Sequence, residues 1–126
     1  MIIAVDFDGT IVEHKYPAIG KEIPFAIKTL KYFQKKGHKL ILWTYRHGKD
    51  LEEAVKFCEE RGLVFHAANN NFDGEEFDNT YSRKIYADIY IDDRNLLGLP
   101  EWEKLYHIIA QNSDKKEFNL TPNIKI

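Results

Sequence analysis

The sequence predicts an α/β protein built on an open, mostly parallel sheet, and two patterns lead to this prediction. Short apolar runs alternate along the chain with segments whose apolar residues recur at helical spacing, which is the order of a parallel sheet with crossover helices. Polar residues follow directly after several of these runs, as they do where ligands bind at the carboxyl edge of such a sheet. A chain of 126 residues suits one core, so 1–126 is predicted to be a single domain.

Four strands are predicted where the apolar runs lie. The first, at 2–5, is continuous and rich in β-branched side chains, as strands buried on both faces are. The second covers 40–43, a short third covers 63–65, and the fourth covers 87–91. A polar and acidic segment at 67–81, with an Asp-Gly pair, is interpreted as a long surface loop.

Three helices are predicted between and after these strands. The first begins near Pro24, a residue favoured in the first turn of a helix, and ends at Gly37. The second covers about 49–61 and has Cys58 on its apolar stripe, which indicates a core thiol rather than a reactive one. The third begins at Pro100, and its apolar residues again recur at helical spacing.

The composition limits the cellular compartments and the classes of binding partner that are expected for this chain. A net charge of -2 gives no overall attraction to nucleic acid or to anionic membranes. No apolar run is long enough to cross a bilayer, and no signal peptide is recognisable. The one cysteine excludes an internal disulfide and fits a reducing cytosol, so a cytoplasmic protein is expected. The segment 15–39 carries seven lysines, which are interpreted as a solvated surface, with a positive rim for a phosphorylated substrate as the alternative.

Acids and other polar residues stand at the ends of the predicted strands. Asp6 and Asp8 follow the first strand, Thr44 follows the second, and the pair Asp92-Asp93 follows the fourth. Since parallel strands place their carboxyl ends on one edge of the sheet, these residues are expected to meet there. Lys84, just before the fourth strand, is expected nearby.

Four carboxylates at one edge create an electrostatic conflict. Two like charges 4 Å apart repel by about 4 kcal/mol at an effective dielectric constant near 20, and one lysine offsets only part of this. A divalent cation removes the conflict. Carboxylate oxygens with positions left for water and for a substrate phosphate suit Mg²⁺ best, so the pattern predicts a magnesium site.

These residues resemble the four motifs of the haloacid dehalogenase superfamily. The motifs are DFDGT beginning at Asp6, LILWT ending at Thr44, Lys84, and YIDD ending at Asp93, and they occur in the required order. The resemblance spans residues 1 to about 95. It implies a three-layer α/β/α sandwich around a mostly parallel, Rossmann-like sheet, and a Mg²⁺-dependent phosphatase that hydrolyses a phosphomonoester.

The resemblance also implies roles for individual residues. Asp6 is the nucleophile that forms an aspartyl-phosphate, and Asp8 is the general acid and base. Thr44 donates a hydrogen bond to a phosphoryl oxygen, and Lys84 neutralises charge on the nucleophile and the phosphoryl group. Because Asp8 and the acids of the last motif are present, the chain resembles the phosphoryl-transfer members rather than the dehalogenases.

Metal and substrate contacts complete the predicted site. The metal set is Asp6, Asp8 (through its backbone carbonyl), Asp92 and Asp93, with the direct ligand of the last pair left open. Further side chains near the motifs are candidate contacts to the substrate, with a structural or surface role as the alternative. These candidates are Gly9, Thr10, Tyr45, Arg46, His47 and Arg94.

The short distances between motifs imply a member without a cap domain. The segment 11–23 has room only for a flap, and 69–80 forms the other wall of an open entrance, which a neighbouring subunit could close in a homo-oligomer. The tail, 113–126, is left undetermined. Three alternatives stay open. They are a nucleic-acid end phosphatase that uses the lysines of 15–39, a phosphotransferase or mutase that passes the phosphoryl group to a second hydroxyl, and a non-catalytic binding or regulatory module on the same fold.

Overall fold

A computed structural model describes residues 1–112 of the chain. It contains four strands and three helices in the order strand, helix, strand, helix, strand, strand, helix. The strands are β1 (Ile2–Val5), β2 (Lys39–Leu42), β3 (Ala67–Ala68) and β4 (Ile89–Ile91), and the helices are α1 (Ala26–Lys35), α2 (Gly48–Glu59) and α3 (Trp102–Asn112). The predicted tail at 113–126 lies outside the described residues.

The four strands form one parallel sheet with the order β3-β2-β1-β4. Residues Ile2 to Val5 pair with Lys39 to Leu42 on one side of β1, and Val5 pairs with Ile91 on the other. The strand that ends before Asp6 is therefore central, and the chain leaves β2 and β4 immediately beside it. This confirms the predicted α/β class and the parallel sheet.

The two faces of the sheet are covered differently. On one face Ile3 and Val5 pack in a core cluster that contains the buried residues of α1, α2 and α3, including Phe33, Cys58 and Trp102. On the other face Ala4 and Ile41 pack against Ile85, which belongs to the segment before β4. Cys58 is fully buried, and burial raises the pKa of its thiol to about 12, as befits a core residue.

Within residues 1–112 all three helices lie on the first face, so a second helical layer is not among them. The connection from β3 to β4 takes its place. That segment contains the polar and acidic residues of the predicted loop and supplies one fully buried side chain, Ile85, to the second face. Residues 1–112 therefore form an α/β sheet with helices on one side, and the third layer of the predicted sandwich is not a helical layer in this part of the chain.

The third strand was predicted at 63–65, but it lies at Ala67–Ala68. Leu63 donates its backbone N–H to Cys58 at the end of α2 and is buried there, so 63–65 is still the connection from the helix. Pairing with β2 begins only after His66 donates to Leu40, and Ala67 and Ala68 form the strand. The apolar side chain of Leu63 covers the end of α2, and in the sequence it resembles the start of a short apolar strand.

The predicted flap has an ordered stem. Glu13 donates its N–H to the carbonyl of Lys21, and Ile23 donates to Ile11, so the two ends of the segment pair in antiparallel fashion. Phe25 then takes a positive φ of 68° directly before α1, which is why the helix starts at Ala26 and not at Pro24. The tip of the flap is held over the carboxyl edge of the sheet.

Candidate active site

Three carboxylates meet at the carboxyl edge of the sheet. Asp6 follows β1 and donates its backbone N–H to Ile91 at 2.9 Å, which fixes it beside the end of β4. Asp6, Asp92 and Asp93 each present an oxygen within 4.8 Å of the others. The predicted meeting of these three acids is therefore what the structure has.

The backbone of the first motif is shaped to receive Asp93. Gly9 has a φ of 86°, and a Cβ on it would lie 2.2 Å from Asp93 Oδ2. Thr10 accepts the N–H of Asp93 at 3.0 Å, and its hydroxyl lies within donating distance of Asp6 Oδ2 (3.1 Å) and Asp93 Oδ1 (3.3 Å). Thr10 is fully buried, and its carbonyl accepts the indole N–H of Trp102 at 2.9 Å. Gly9 and Thr10 thus position Asp93 and are not exposed contacts for a substrate.

The crowding of these acids changes their protonation when no cation is bound. Burial, a hydrogen bond with Asp93 and the charge of Asp92 raise the pKa of Asp6 from 3.8 to about 8. Without a cation, Asp6 therefore keeps its proton near neutral pH. This is the electrostatic conflict that the sequence predicts, resolved by a proton in place of a cation.

The donor set fits Mg²⁺. All three ligands are hard carboxylate oxygens, which Mg²⁺ prefers, and few protein ligands leave positions for water and phosphate. One oxygen from each of these acids lies within 4.8 Å of the others, which is close enough for them to share one ion. Asp6, Asp92 and Asp93 would hold the ion.

Asp8 is not part of this carboxylate cluster, because Arg46 binds it. Arg46 donates from Nε to Asp8 Oδ2 and from Nη2 to Asp8 Oδ1, both at 2.8 Å. The side chain of Asp8 is 10% exposed, and it lines the same cleft as Asp6. Since each carboxylate oxygen has about two acceptor positions, the two bonds from Arg46 leave one unused on each oxygen.

Arg46 itself is fully buried, which corrects its prediction as a substrate contact. Besides Asp8, its guanidinium donates to the carbonyls of Pro17, Ala18 and Asp50, so all five of its N–H groups are used. It also lies against the rings of Phe7 and Tyr16, 5.1 Å from each centroid. The hydrogen bond to Asp8 raises the pKa of Arg46 above its usual value. Arg46 therefore fastens the flap and α2 to the first motif.

Thr44 lies at the end of β2 with its hydroxyl oriented by neighbours. Its oxygen accepts the backbone N–H of Arg46 at 3.1 Å, so its own proton is free to point elsewhere, and the residue lines the cleft. Asn69, directly after β3, holds this loop from behind. Its side-chain oxygen accepts the N–H of Thr44 at 2.8 Å, and its nitrogen donates to the carbonyl of Arg46 at 3.0 Å.

Lys84 is not brought to the cleft. Its ammonium lies 4.7 Å from the centroid of the Tyr90 ring, and Tyr90 packs with the second face of the sheet. The reason is Ile85, which is inserted into that face and holds the preceding residue over it. The role predicted for Lys84 therefore has no support from its position.

The cleft beside the acids has a volume of about 530 Å³. Of the other candidate contacts, Tyr45 and Arg94 line it, whereas His47 does not. The flap contributes His14 and Tyr16 to its wall, as the predicted position of 11–23 implies. Among residues 1–112, the side chains that line it are Asp6, Asp8, His14, Tyr16, Trp43, Thr44, Tyr45, Asp92 and Arg94.

Two residues of the site are missed by sequence reasoning. Asn69 is read only as part of a polar loop, although Asn is one of the few residues that tolerate its φ of 58°. Trp102 is read only as one apolar residue of a helix, although a buried indole needs a partner for its N–H. In both cases the residue type was the available signal.

Comparison with known proteins yields one informative match. A solved structure of a conserved protein coded by a locus of Bacteroides thetaiotaomicron is 54% identical in sequence and superposes with a TM-score of 0.83, over 89% of this chain and 91% of that one. The two chains belong to the same family. No protein-family model and no curated protein matches this chain. This chain and its Bacteroides relative thus share the parallel α/β fold.

No helix within residues 1–112 combines the length and the apolarity that crossing a membrane requires.

Proposed function

We propose that this chain is a Mg²⁺-dependent phosphomonoester hydrolase of the haloacid dehalogenase superfamily, with Asp6 as its nucleophile. The observation that carries the proposal is the position of Asp6. It shares one carboxylate cluster with Asp92 and Asp93 and one cleft with Asp8 and Thr44. A nucleophile, a proton donor and a cation site thus face a single space.

In the first step an oxygen of Asp6 attacks phosphorus and forms an aspartyl-phosphate, while the bond from phosphorus to the ester oxygen breaks. Asp8, as the general acid, gives a proton to the departing oxygen, which leaves as an alcohol. In the second step Asp8 takes a proton from water, whose oxygen attacks the same phosphorus and releases phosphate and free Asp6. Arg46 keeps the Asp8 carboxylate aimed at the cleft through both steps.

Thr44 donates its hydroxyl proton to a phosphoryl oxygen, since its oxygen already accepts the N–H of Arg46. Arg94, on the cleft wall, supplies the positive side chain that the motif comparison assigned to Lys84. When bound by Asp6, Asp92 and Asp93, Mg²⁺ supplies the charge that lets an anionic carboxylate approach an anionic phosphate.

The proposal includes the superfamily's three-layer sandwich as the parent architecture, with the connection from β3 to β4 standing in for the second helical layer. An open cleft bounded by a short flap supports a member without a cap. The lysines of 15–39 give no support to the nucleic-acid alternative, because none of them lines the cleft. Lys28 and Lys31 border a different groove on α1 that shares no residue with it.

A panel of phosphorylated metabolites, assayed for phosphate release with and without Mg²⁺, tests the proposal. We expect Asp6→Asn to lose at least about a thousandfold in kcat, because the nucleophile is gone. Its circular dichroism spectrum should match that of wild type, and its unfolding should stay cooperative. Asp73→Asn, a matched change in an exposed loop, serves as the control and should keep full activity. Equal activity of Asp6→Asn and wild type at equal purity contradicts the assignment of the nucleophile.

A further inference from the structure

We propose that the substrate of this site is a monophosphate that carries a planar aromatic ring close to its phosphoryl group. This inference rests on the proposed function and names its substrate class. Three aromatic side chains, Tyr16, Trp43 and Tyr45, line the cleft that also holds Asp6 and Asp8. They come from two segments, the flap and the loop after β2, that border the same cleft as the reacting carboxylates.

Tyr45 is the principal observation. It is 84% exposed, although it directly follows Thr44, the residue proposed to hold the phosphoryl group. Its ring meets those of Tyr16 and His47 only at steep angles, 71° and 88°, with centroids 6.0 and 6.4 Å away. Edge contacts of this kind fix the orientation of a ring without covering both of its faces. A flat ligand can therefore lie on Tyr45 while its phosphate reaches Thr44.

Trp43, two residues before Tyr45, also offers an aromatic surface to the cleft. Trp43 is half-buried, because part of it packs against the second face of the sheet, and the remainder lines the cleft. The other tryptophan, Trp102, is buried and bonded to Thr10. Stacking of a base on an aromatic side chain is sequence-tolerant and strong, so two such side chains in one cleft select for a planar ring with little hydrogen bonding.

The charges of the cleft limit the substrate to one phosphate. Asp6, Asp8 and Asp92 line it, and Arg94 is its one arginine or lysine among the residues described. With one divalent cation bound, the positive charges of this set only offset its three carboxylates, so none is left over for additional phosphates. A second or third phosphate would meet carboxylates without further cations, which disfavours diphosphates and triphosphates.

The ring could belong to a nucleoside monophosphate or to a simple aryl phosphate, and binding experiments with Asp6→Asn in the presence of Mg²⁺ distinguish them. Calorimetry compares adenosine 5′-monophosphate with ribose 5-phosphate, which differ only by the base, and phenyl phosphate with cyclohexyl phosphate, which differ only in planarity. In at least one pair, we expect the ligand with the planar aromatic ring to bind at least about fivefold more tightly than its partner. This factor corresponds to the lower end of base–aromatic stacking energies. The preferred pair identifies the source of the ring.

Variants locate the effect. Tyr45→Ala should remove most of the preference, Tyr45→Phe should keep it, and Tyr81→Ala, an exposed tyrosine outside the cleft, should not change it. The ring-bearing ligand should quench tryptophan fluorescence in the Asp6→Asn protein and not when Trp43→Phe is added, since Trp43 lines the cleft.

Three results overturn the inference. One is equal affinity within both pairs. Another is a preference that Tyr45→Ala leaves intact. A third is a change of oligomeric state in Tyr45→Ala, measured by light scattering, without a change in selectivity, since Tyr45 would then cover a subunit contact. If ring-bearing ligands bind as expected but wild type releases no phosphate from any ester, the hydrolase proposal fails and the ring site stands.

Discussion

Arg46 shows how much one side chain can organise at the residue scale. The sequence places it after a strand, where an arginine usually faces water, and gives no sign that it is fully buried. The meeting of Asp6, Asp92 and Asp93, by contrast, follows from the parallel sheet, because the ends of β1 and β4 are adjacent. Strand-end acids could thus be predicted, whereas the partner of Asp8 depends on the path of the flap, which has no periodic signal.

Replacing Arg46 tests its organising role. Arg46→Lys keeps the charge but loses the planar fork, so it cannot bind both oxygens of Asp8 and the carbonyls of Pro17 and Ala18 together. We expect the free energy of unfolding in urea to fall by about 3 kcal/mol, the cost of breaking a buried ion pair. We also expect kcat to fall more than KM rises, because Asp8 acts in the transition state. Arg83→Lys, an exposed change, should be neutral in both measurements.

Gly9 permits a second residue-scale test with a close control. A methyl group at this position would meet Asp93 Oδ2 at 2.2 Å, whereas one at Gly37, with a similar φ of 94°, would meet nothing within 4 Å. Both alanine variants bear the strain of a positive φ, about 1 kcal/mol. Only Gly9→Ala should also lose Mg²⁺-dependent stabilisation in thermal unfolding. If the two variants retain equal Mg²⁺ stabilisation, Asp93 is not held by Gly9 in the way described.

At the scale of elements, the predicted β1, β2, β4 and the three helices are present. Continuous apolar runs indicate the strands, and apolar residues at helical spacing indicate the helices. The third strand is not where it was predicted, since β3 has only two residues, Ala67 and Ala68, and neither has a strong strand preference. Its position depends on pairing with β2, which is a tertiary effect. The predicted helix start at Pro24 failed for a local reason, the positive φ of Phe25.

Helix α3 connects the body of the protein to the first motif through Trp102. Trp102→Phe removes the donor to the Thr10 carbonyl and leaves that buried group unpaired. We expect a loss of about 1–3 kcal/mol in the free energy of unfolding, together with weaker Mg²⁺ binding, because Thr10 orients Asp93. His107→Ala, on the exposed side of the same helix, is the control. Unchanged Mg²⁺ affinity in a destabilised Trp102→Phe protein would separate the helix from the site.

At the scale of the whole molecule, the pKa of Asp6 couples stability to pH. Between 3.8 and about 8 the metal-free folded chain keeps a proton on Asp6 that the unfolded chain has lost. Since the folded state then binds more protons, its stability falls as the pH rises through this range. In EDTA the thermal midpoint of wild type should therefore decline more steeply from about pH 5 to about pH 8 than that of Asp6→Asn.

Adding Mg²⁺ should reverse this trend, because the ion needs the deprotonated carboxylate and competes with the proton. The gain in thermal midpoint should be larger near pH 8 than near pH 5, with about 2.7 kcal/mol expected at a hundredfold excess over the dissociation constant. Parallel pH profiles of wild type and Asp6→Asn, with or without the ion, would show that Asp6 does not carry the coupling.

The side-chain amide of Asn69 makes the site sensitive to slow chemical hydrolysis. Its single amide supplies an acceptor to Thr44 and a donor to the carbonyl of Arg46, so both functions depend on the group remaining an amide. Asparagine is thermolabile, and its slow hydrolysis to aspartate would leave the first bond and turn the second into an encounter of two acceptors. The working lifetime of a stored preparation would then be limited by ageing of a side chain behind the loop that carries Thr44.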